Sequence, residues 1–378
     1  MIFIVLLIIL LIFYIGFLLF ILIGTFRIYK VKNNHSAFNN ISVIIAARNE
    51  EDNIVSLMKS LINQNYPENK YEIIAVSDRS TDKTDFILKE YSMKYNNINY
   101  LRVDKEDKNL IGKKNALTKG IEKSNGDILL FTDADCVPGI NWIRSINQYF
   151  NNNFDVVVGY SPLLSDKKGI FQKMVFLLKK LERLSIFTIS AGTIGWNWGV
   201  TATGRNFAYR RFVFDEINGF SGIGLIPSGD DDLFLQKISK TKKYKITFAM
   251  NLDTHIPSLE TKNTIEQYNL EKRRASKWRY YPPKIKIFSA IIFLFYLLMS
   301  GLFILSIFSI FPWEKFLLIF ILKIFIDFLV ILRGAVLFKE VKLLSVFPLA
   351  ELFYIPYFLF FGIMGSFTRY IWGKKQLS

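Results

Sequence analysis

Apolar residues follow two patterns along this chain. From Ile2 to Ile23 there is no charge at all, and Arg27 is the first charged residue. About twenty such residues span a hydrocarbon core. The block has no basic leader and no small-residue cleavage site, so residues 1–26 read as a retained anchor rather than a signal peptide. From about Ile287 the chain turns apolar again, and three further spans are expected near residues 287–311, 316–337 and 343–364, within a transmembrane region over 287–365. Pro348, Glu351 and Pro356 interrupt the last of them, which suits a re-entrant segment as well as a crossing one.

Between these blocks the pattern alternates. Ile41 to Ala46 is an apolar strand, followed by polar residues and the helical spacing Ile54, Leu57, Met58, Leu61. Tyr71 to Val76 predicts a second strand, Thr84 to Tyr95 a helix, Asn99 to Val103 a third strand, and Gly112 to about Lys123 another helix. Ile128 to Phe131 then forms a short buried strand that stops at Asp133 and Asp135. Strands alternating with helices predict an α/β domain with a parallel sheet covered on both faces, over residues 40–255. A basic interfacial segment is expected over 256–286. Phe171 to Ile189 mixes apolar residues with Lys173, Lys179, Lys180 and Arg183, as in a helix lying in the headgroup plane or one packed on the core.

Charge and cysteine content narrow the setting. Lys and Arg number 48 against 32 Asp and Glu, a net charge of +16, with basic residues gathered in the middle section and beside the spans. Positive-inside bias and anionic headgroups account for this without nucleic acid. The single Cys136 excludes a disulfide framework, and His35 and His255 are too few for a zinc cluster. Arg27, Lys30 and Lys32 after the first span place the middle domain in the cytosol of a multi-pass cell-membrane protein. Three more crossings would leave a tail carrying Arg369, Lys374 and Lys375 outside, against the same rule.

The chemistry concentrates where strands end. In a parallel sheet the C-terminal ends lie on one rim, where ligands bind. That rim collects Glu50, Asp78, Lys114 and the pair Asp133 and Asp135. Two carboxylates one residue apart can share a divalent cation and leave positions for a diphosphate, or they can be solvated loop acids. Asp78 to Asp82 can read a base and ribose or cap a helix, and Lys113 and Lys114 can balance phosphate or face solvent. Asp230, Asp231 and Asp232 open the helical stretch Leu233, Phe234, Leu235, Ile238; three adjacent acids exceed what a cap requires.

Four ordered segments resemble the family 2 glycosyltransferases: Ser42 to Glu51, Ser77 to Thr84, Thr132 to Asp135, and Ser228 to Leu233. The flanking spans resemble those of the family's membrane-integrated members. The resemblance implies a GT-A type, Rossmann-like nucleotide-sugar-binding domain and inverting transfer of a hexose. It implies Asp133 and Asp135 on Mg2+ or Mn2+ at the donor diphosphate, with Ala46, Arg48, Glu50 and Asp78 around the nucleotide and Lys113 and Lys114 near phosphate. It implies Asp230, or its neighbour Asp231, as general base on the acceptor hydroxyl. Gly204, Arg205 and Asn206 match the segment beneath the donor sugar. A UDP-sugar is the family's default donor.

Two departures qualify the match. Gly229 stands where many members carry a glutamate. Polymer synthases often carry Gln-x-x-Arg-Trp before the C-terminal spans, whereas this chain has Leu270 to Arg274 and then Trp278; Arg273 remains to meet the diphosphate and Trp278 lies about one turn further on. The expectation is therefore single transfer to a membrane lipid, with a processive polysaccharide synthase as the alternative.

Overall fold

A computed structural model describes residues 2–31, 37–261, 263–367, 370–372 and 375–377. Lys32, His35, Arg369 and Lys374, which entered the charge and metal arguments, lie outside them. The chain divides into two units. One comprises Met1–Phe26, Asp166–Gly192 and Thr261–Ser378, the other Arg27–Ser165 and Thr193–Glu260.

After the apolar helix α1 (Ile2–Phe26), the second unit begins with β1 (Ile41–Ala47), α2 (Ile54–Ile62), β2 (Tyr71–Asp78), α3 (Thr84–Lys94), β3 (Ile98–Val103), α4 (Lys113–Lys123) and β4 (Ile128–Phe131). These are the alternating elements the pattern predicts. β2 runs two residues further than the apolar run, so Asp78 ends the strand itself. α5 (Trp142–Asn151), β5 (Val156–Gly159) and β6 (Leu163–Leu164) follow. α6 (Ile170–Ile194) leads into β7 (Phe207–Arg210), α7 (Arg211–Glu216), α8 (Asp232–Thr241), β8 (Ile246–Ala249) and β9 (Ser258–Leu259).

The main sheet has the order β3-β2-β1-β4-β7-β5-β8. Its first four strands are parallel, as are β5 and β8, but β7 runs antiparallel between β4 and β5. The sheet is therefore mixed, whereas the alternation in the first half suggested only parallel pairing. Period-two burial builds the core: Val43, Ile45, Ile73 and Leu130 cluster with Leu57, Met58 and Leu61 of α2 and with Trp142 and Ile146 of α5. On the other face α4 comes so close that a Cβ on Gly120 would stand 2.8 Å from a methyl of Ile44 and 3.1 Å from one of Val76.

The first unit contains α1, most of α6, and α9 (Thr264–Ser276), α10 (Pro283–Ile307), α11 (Trp313–Leu337) and α12 (Phe347–Phe367). α10 begins and ends earlier than the expected 287–311 because Pro283 supplies its first turn and Pro312 caps the next helix. Among the described residues three stretches are long and apolar enough to cross a membrane: Val5–Phe26, Pro283–Ile307 and Val341–Met364. α11 carries Lys323, Asp327 and Arg333 in its apolar run. Lys323 is wholly buried, contacts Glu351 of α12 and stands 2.7 Å from Asp327. Tyr14 of α1 donates to Asp327 at 2.6 Å. Leu318, Ile321 and Phe325 turn outward instead. Polar groups face in and apolar ones out, as suits a lipid-facing helix.

Candidate active site

The site forms in the second unit, where the loops after β1, β2 and β4 meet the segment before β7 and the start of α8. The first two loops are laced together. The backbone N–H groups of Asn49, Glu50 and Glu51 donate to Ser80 Oγ, Thr84 Oγ1 and Asp82 Oδ2 at 3.3, 2.7 and 3.1 Å. In return, Thr81 and Lys83 N–H groups donate to the side chains of Asn49 and Glu51. Asn49 and Arg79 both have positive φ, the sharp reversals that let these tips face each other. Asp82 also accepts from the N–H of Thr84 at 3.0 Å, which occupies one open N–H at the head of α3, while the N-cap position itself is Lys83.

Asp133 and Asp135 follow β4 and are each held by a cation. Lys113, the first residue of α4, contacts Asp133, and its Nζ is also 3.3 Å from Asp230 Oδ2. Arg205 reaches Asp135 at 3.2 Å and Asp133 at 3.5 Å. Burial disfavours the charged form of Lys113, but Asp133 and Asp230 outweigh it and hold its pKa above the ordinary value. Burial likewise raises Asp135, yet Arg205 prevails and keeps that carboxyl below its usual range. Glu50 goes the other way: burial raises it, a hydrogen bond from Asn53 opposes, and Asp135 and Asp133 add to the rise. The end of β1 therefore lies in the field of the carboxylate pair.

The three acids at α8 have separate surroundings. Asp231 is the N-cap; its carboxylate accepts from the N–H of Asp232 at 2.7 Å and from the N–H of Gly204 at 3.1 Å. Asp232 is buried and accepts from the N–H of Leu233. Asp230 instead lines a small cavity with Lys113, Thr132, Gly204, Phe207 and Tyr209. Within that wall the Thr132 hydroxyl is buried and has no hydrogen-bond partner. Gly229 has φ +92°, a conformation that explains glycine where a glutamate is common. Gly204 is a close approach: a Cβ there would stand 3.0 Å from Lys113 Nζ and 3.3 Å from Asp230 Oδ2.

The remaining expected site residues have different placements. Ala46 is half-buried near the end of β1, and Arg48 is exposed. Asp78 is buried and gripped by Arg79 through both carboxylate oxygens, at 2.7 and 3.0 Å. Lys114 is buried, and its ammonium is given to the carbonyls of Ile226 and Ser228 rather than to the carboxylate pair. Asn206 is also buried; its amide donates to the carbonyls of Tyr160 and Thr254 and accepts from the indole of Trp142. Arg273 and Trp278 belong to the other unit, Arg273 on α9 and Trp278 in the turn after it. Sequence reasoning did not anticipate Lys113 as the cation between Asp133 and Asp230, nor Arg205 as partner of both metal candidates. The only hint was an excess of acids over bases in the two aspartate segments.

Residues 42–218 match the family described as Glycosyl transferase family 2. The chain carries a family 2 glycosyltransferase domain. Probable glycosyltransferase YdaM of Bacillus subtilis (strain 168) is 30% identical over 214 residues, covering 53% of this chain and 50% of that protein. The beta-monoglucosyldiacylglycerol synthase of a Nostoc species is 38% identical over 95 residues, covering 25% of this chain and 20% of its own. The chain thus spans half or less of the length of these curated relatives. In fold, the chain resembles the mannosyltransferase PcManGT of Pyrobaculum calidifontis, solved with GDP-Man and Mn2+. The TM-score is 0.55 at 15% identity, over 96% of this chain and 95% of that one. The glycosyltransferase domain is of the GT-A type, accompanied by apolar helices in the same chain.

Proposed function

We propose that the domain transfers a hexose from a nucleotide diphosphate sugar to a hydroxyl of a membrane lipid, with inversion. The observation that carries this reading is the single ammonium of Lys113 between Asp133 and Asp230. It brings the acids suited to the donor diphosphate beside the acid suited to the acceptor proton. Inversion requires the base and the leaving group on opposite faces of the sugar, hence carboxylates from different segments. Asp230 is the base in this reading, because the carboxylates of Asp231 and Asp232 already accept backbone N–H groups at the head of α8.

Asp133 and Asp135 offer hard oxygen donors of the kind Mg2+ and Mn2+ prefer. Among the described residues no group of three or more acids, histidines or cysteines is arranged to hold a metal. Two carboxylates fit a site completed by the donor's own diphosphate and water. A bound divalent cation would supply positive charge for the departing nucleoside diphosphate. Lys113 and Arg205, which contact the carboxylates, would also be within reach of phosphate oxygens there, and Gly204 lets the backbone come close beside them. UDP is the nucleotide to test first.

The lipid half of the proposal rests on the helical unit. Its outward surface is apolar, and its interior is filled by Lys323, Asp327, Glu351 and the rings of Tyr14, Tyr296 and Tyr354. Three expected C-terminal spans make a narrow secretion channel hard to build from one chain, which favours single transfer over processive synthesis. In α6, Lys180 pairs with Glu340 in the turn between α11 and α12 at 2.8 Å, so the basic helix and that turn share one end of the helical unit. Lys339 and Lys342 in the same turn make this end cytosolic by the positive-inside rule, in a multi-pass protein of the cell membrane. Incubating membranes containing the protein with radiolabelled nucleotide sugars and Mg2+ or Mn2+ tests the reading. Label is expected in the organic phase; label confined to high-mass aqueous material makes the chain a polymer synthase.

A further inference from the structure

A second cleft lies beside the site, entirely within the glycosyltransferase unit. It encloses about 600 Å³ between the segment that precedes α4 and the loop from Phe214 to Ile226. Phe220 is a wall common to this cleft and to the cavity that holds Lys113 and Asp230. The loop is also tied to α4. Lys114 donates to the carbonyls of Ile226 and Ser228, and the N–H of Ile111 donates to the carbonyl of Gly224 at 3.1 Å. Two residues after Ser228 comes Asp230.

The lining chemistry selects a ligand. Among the described residues no lysine or arginine lines the cleft while Asp107 does, so the wall favours a neutral ligand over a phosphate or other anion. Asn109, Thr118, Asn218 and Ser221 present neutral donors and acceptors, Asp107 adds a carboxylate, and Leu110 and Leu225 supply apolar surface. Gly222 has φ +81° and nothing within 4 Å of where its Cβ would be, which leaves bare backbone facing open space. Short polar groups and a carboxylate interspersed with apolar faces suit a sugar ring, which offers hydroxyls at its edge and C–H groups on its face. The volume lies in the range of small-molecule sites, roughly 300–1,000 Å³.

We infer that this cleft binds a saccharide, and that the acceptor is a lipid already bearing a glycosyl headgroup. The inference rests on the proposed transfer reaction and specifies its acceptor. The sugar of the headgroup occupies the cleft, and one of its hydroxyls extends past Phe220 toward Asp230. A bare lipid phosphate is disfavoured because the charged residue in the lining is the acid Asp107.

The test uses the full chain in detergent, with UDP and Mn2+ present to fill the donor site. Saturation-transfer NMR is recorded with methyl β-glucoside, methyl β-galactoside and cellobiose. Nucleotide binding is followed separately with a fluorescent UDP analogue. At least one saccharide is expected to receive saturation. Ser221→Trp should abolish the transfer, and Asn109→Ala, a smaller change, should weaken saccharide binding about fivefold by removing one hydrogen bond. Both variants should bind nucleotide as the parent does. If the parent binds nucleotide yet no saccharide, or if saccharide binding survives both substitutions, the inference fails while the donor reading stands. Failure of the parent to bind any nucleotide defeats the transferase reading itself.

Discussion

Lys113 Nζ lies 3.3 Å from Asp230 Oδ2 while the same ammonium contacts Asp133, so one cation joins acids from the ends of two different elements. Without it, those carboxylates face each other across a partly buried cavity. Lys113→Met should reduce transfer about a hundredfold or more, the order seen when a charge-stabilising donor is lost. Nucleotide-sugar affinity should fall with it. Initial rates and a donor titration on the same preparation check this, and an unchanged rate would remove Lys113 from the reaction.

The acids at the start of α8 separate into two classes by their partners. Asp230→Asn should lower transfer by at least about a hundredfold, as for loss of a general base, and leave nucleotide binding nearly intact. Asp231→Ala should act on stability instead, by about 1 kcal/mol, because it removes the cap of α8 and the bond to Gly204. Thermal midpoints and rates measured for both variants distinguish the roles. The reverse pattern would make Asp231 the base.

Metal removal gives a third expectation. Asp133 and Asp135 already have Lys113 and Arg205 as counter-charges, so chelation should leave the fold intact. Exhaustive treatment with EDTA should abolish transfer and weaken nucleotide-sugar binding without moving the thermal midpoint, and Mn2+ or Mg2+ should restore both. Asp133→Asn and Asp135→Asn should each lose the metal-dependent part of nucleotide binding. Full activity after chelation would show that the two cations suffice.

Much of the first half of the domain was readable because its strands are continuous apolar runs that end abruptly in polar clusters, as at Phe131 and Ala47. β5, β7 and β8 were not assigned, although Val156 to Gly159 is such a run. They have four residues each, and Phe207 to Arg210 directly follows the segment matched to the donor sugar, with no local mark of an antiparallel strand. Side-chain destinations were the least readable. Lys113 and Lys114 are adjacent, yet the helical rotation between them sends one to the carboxylates and the other to the Ile226 and Ser228 carbonyls. Asn206 sits beside Arg205 but is absorbed by three partners in the core, a consequence of tertiary packing that no local pattern carries.

The helical unit supplies the last prediction. Lys323 and Asp327 are four apart within an apolar helix, the spacing of a pair on one face, and Glu351 approaches the same ammonium from α12. Lys323→Met leaves two buried carboxylates without a cation, a type of change that costs about 3–5 kcal/mol when one partner of a buried pair is removed. Because Tyr14 donates to Asp327, the loss should also loosen α1. Purified in detergent, the variant should show a lower thermal midpoint by size-exclusion chromatography after heating. Proteolysis near the first span should increase as well. Adding Asp327→Leu and Glu351→Leu removes the stranded charges and should recover most of the midpoint, since an apolar replacement of a buried ion group is often neutral. If Lys323→Met alone is as stable as the parent, the network does not hold these helices together.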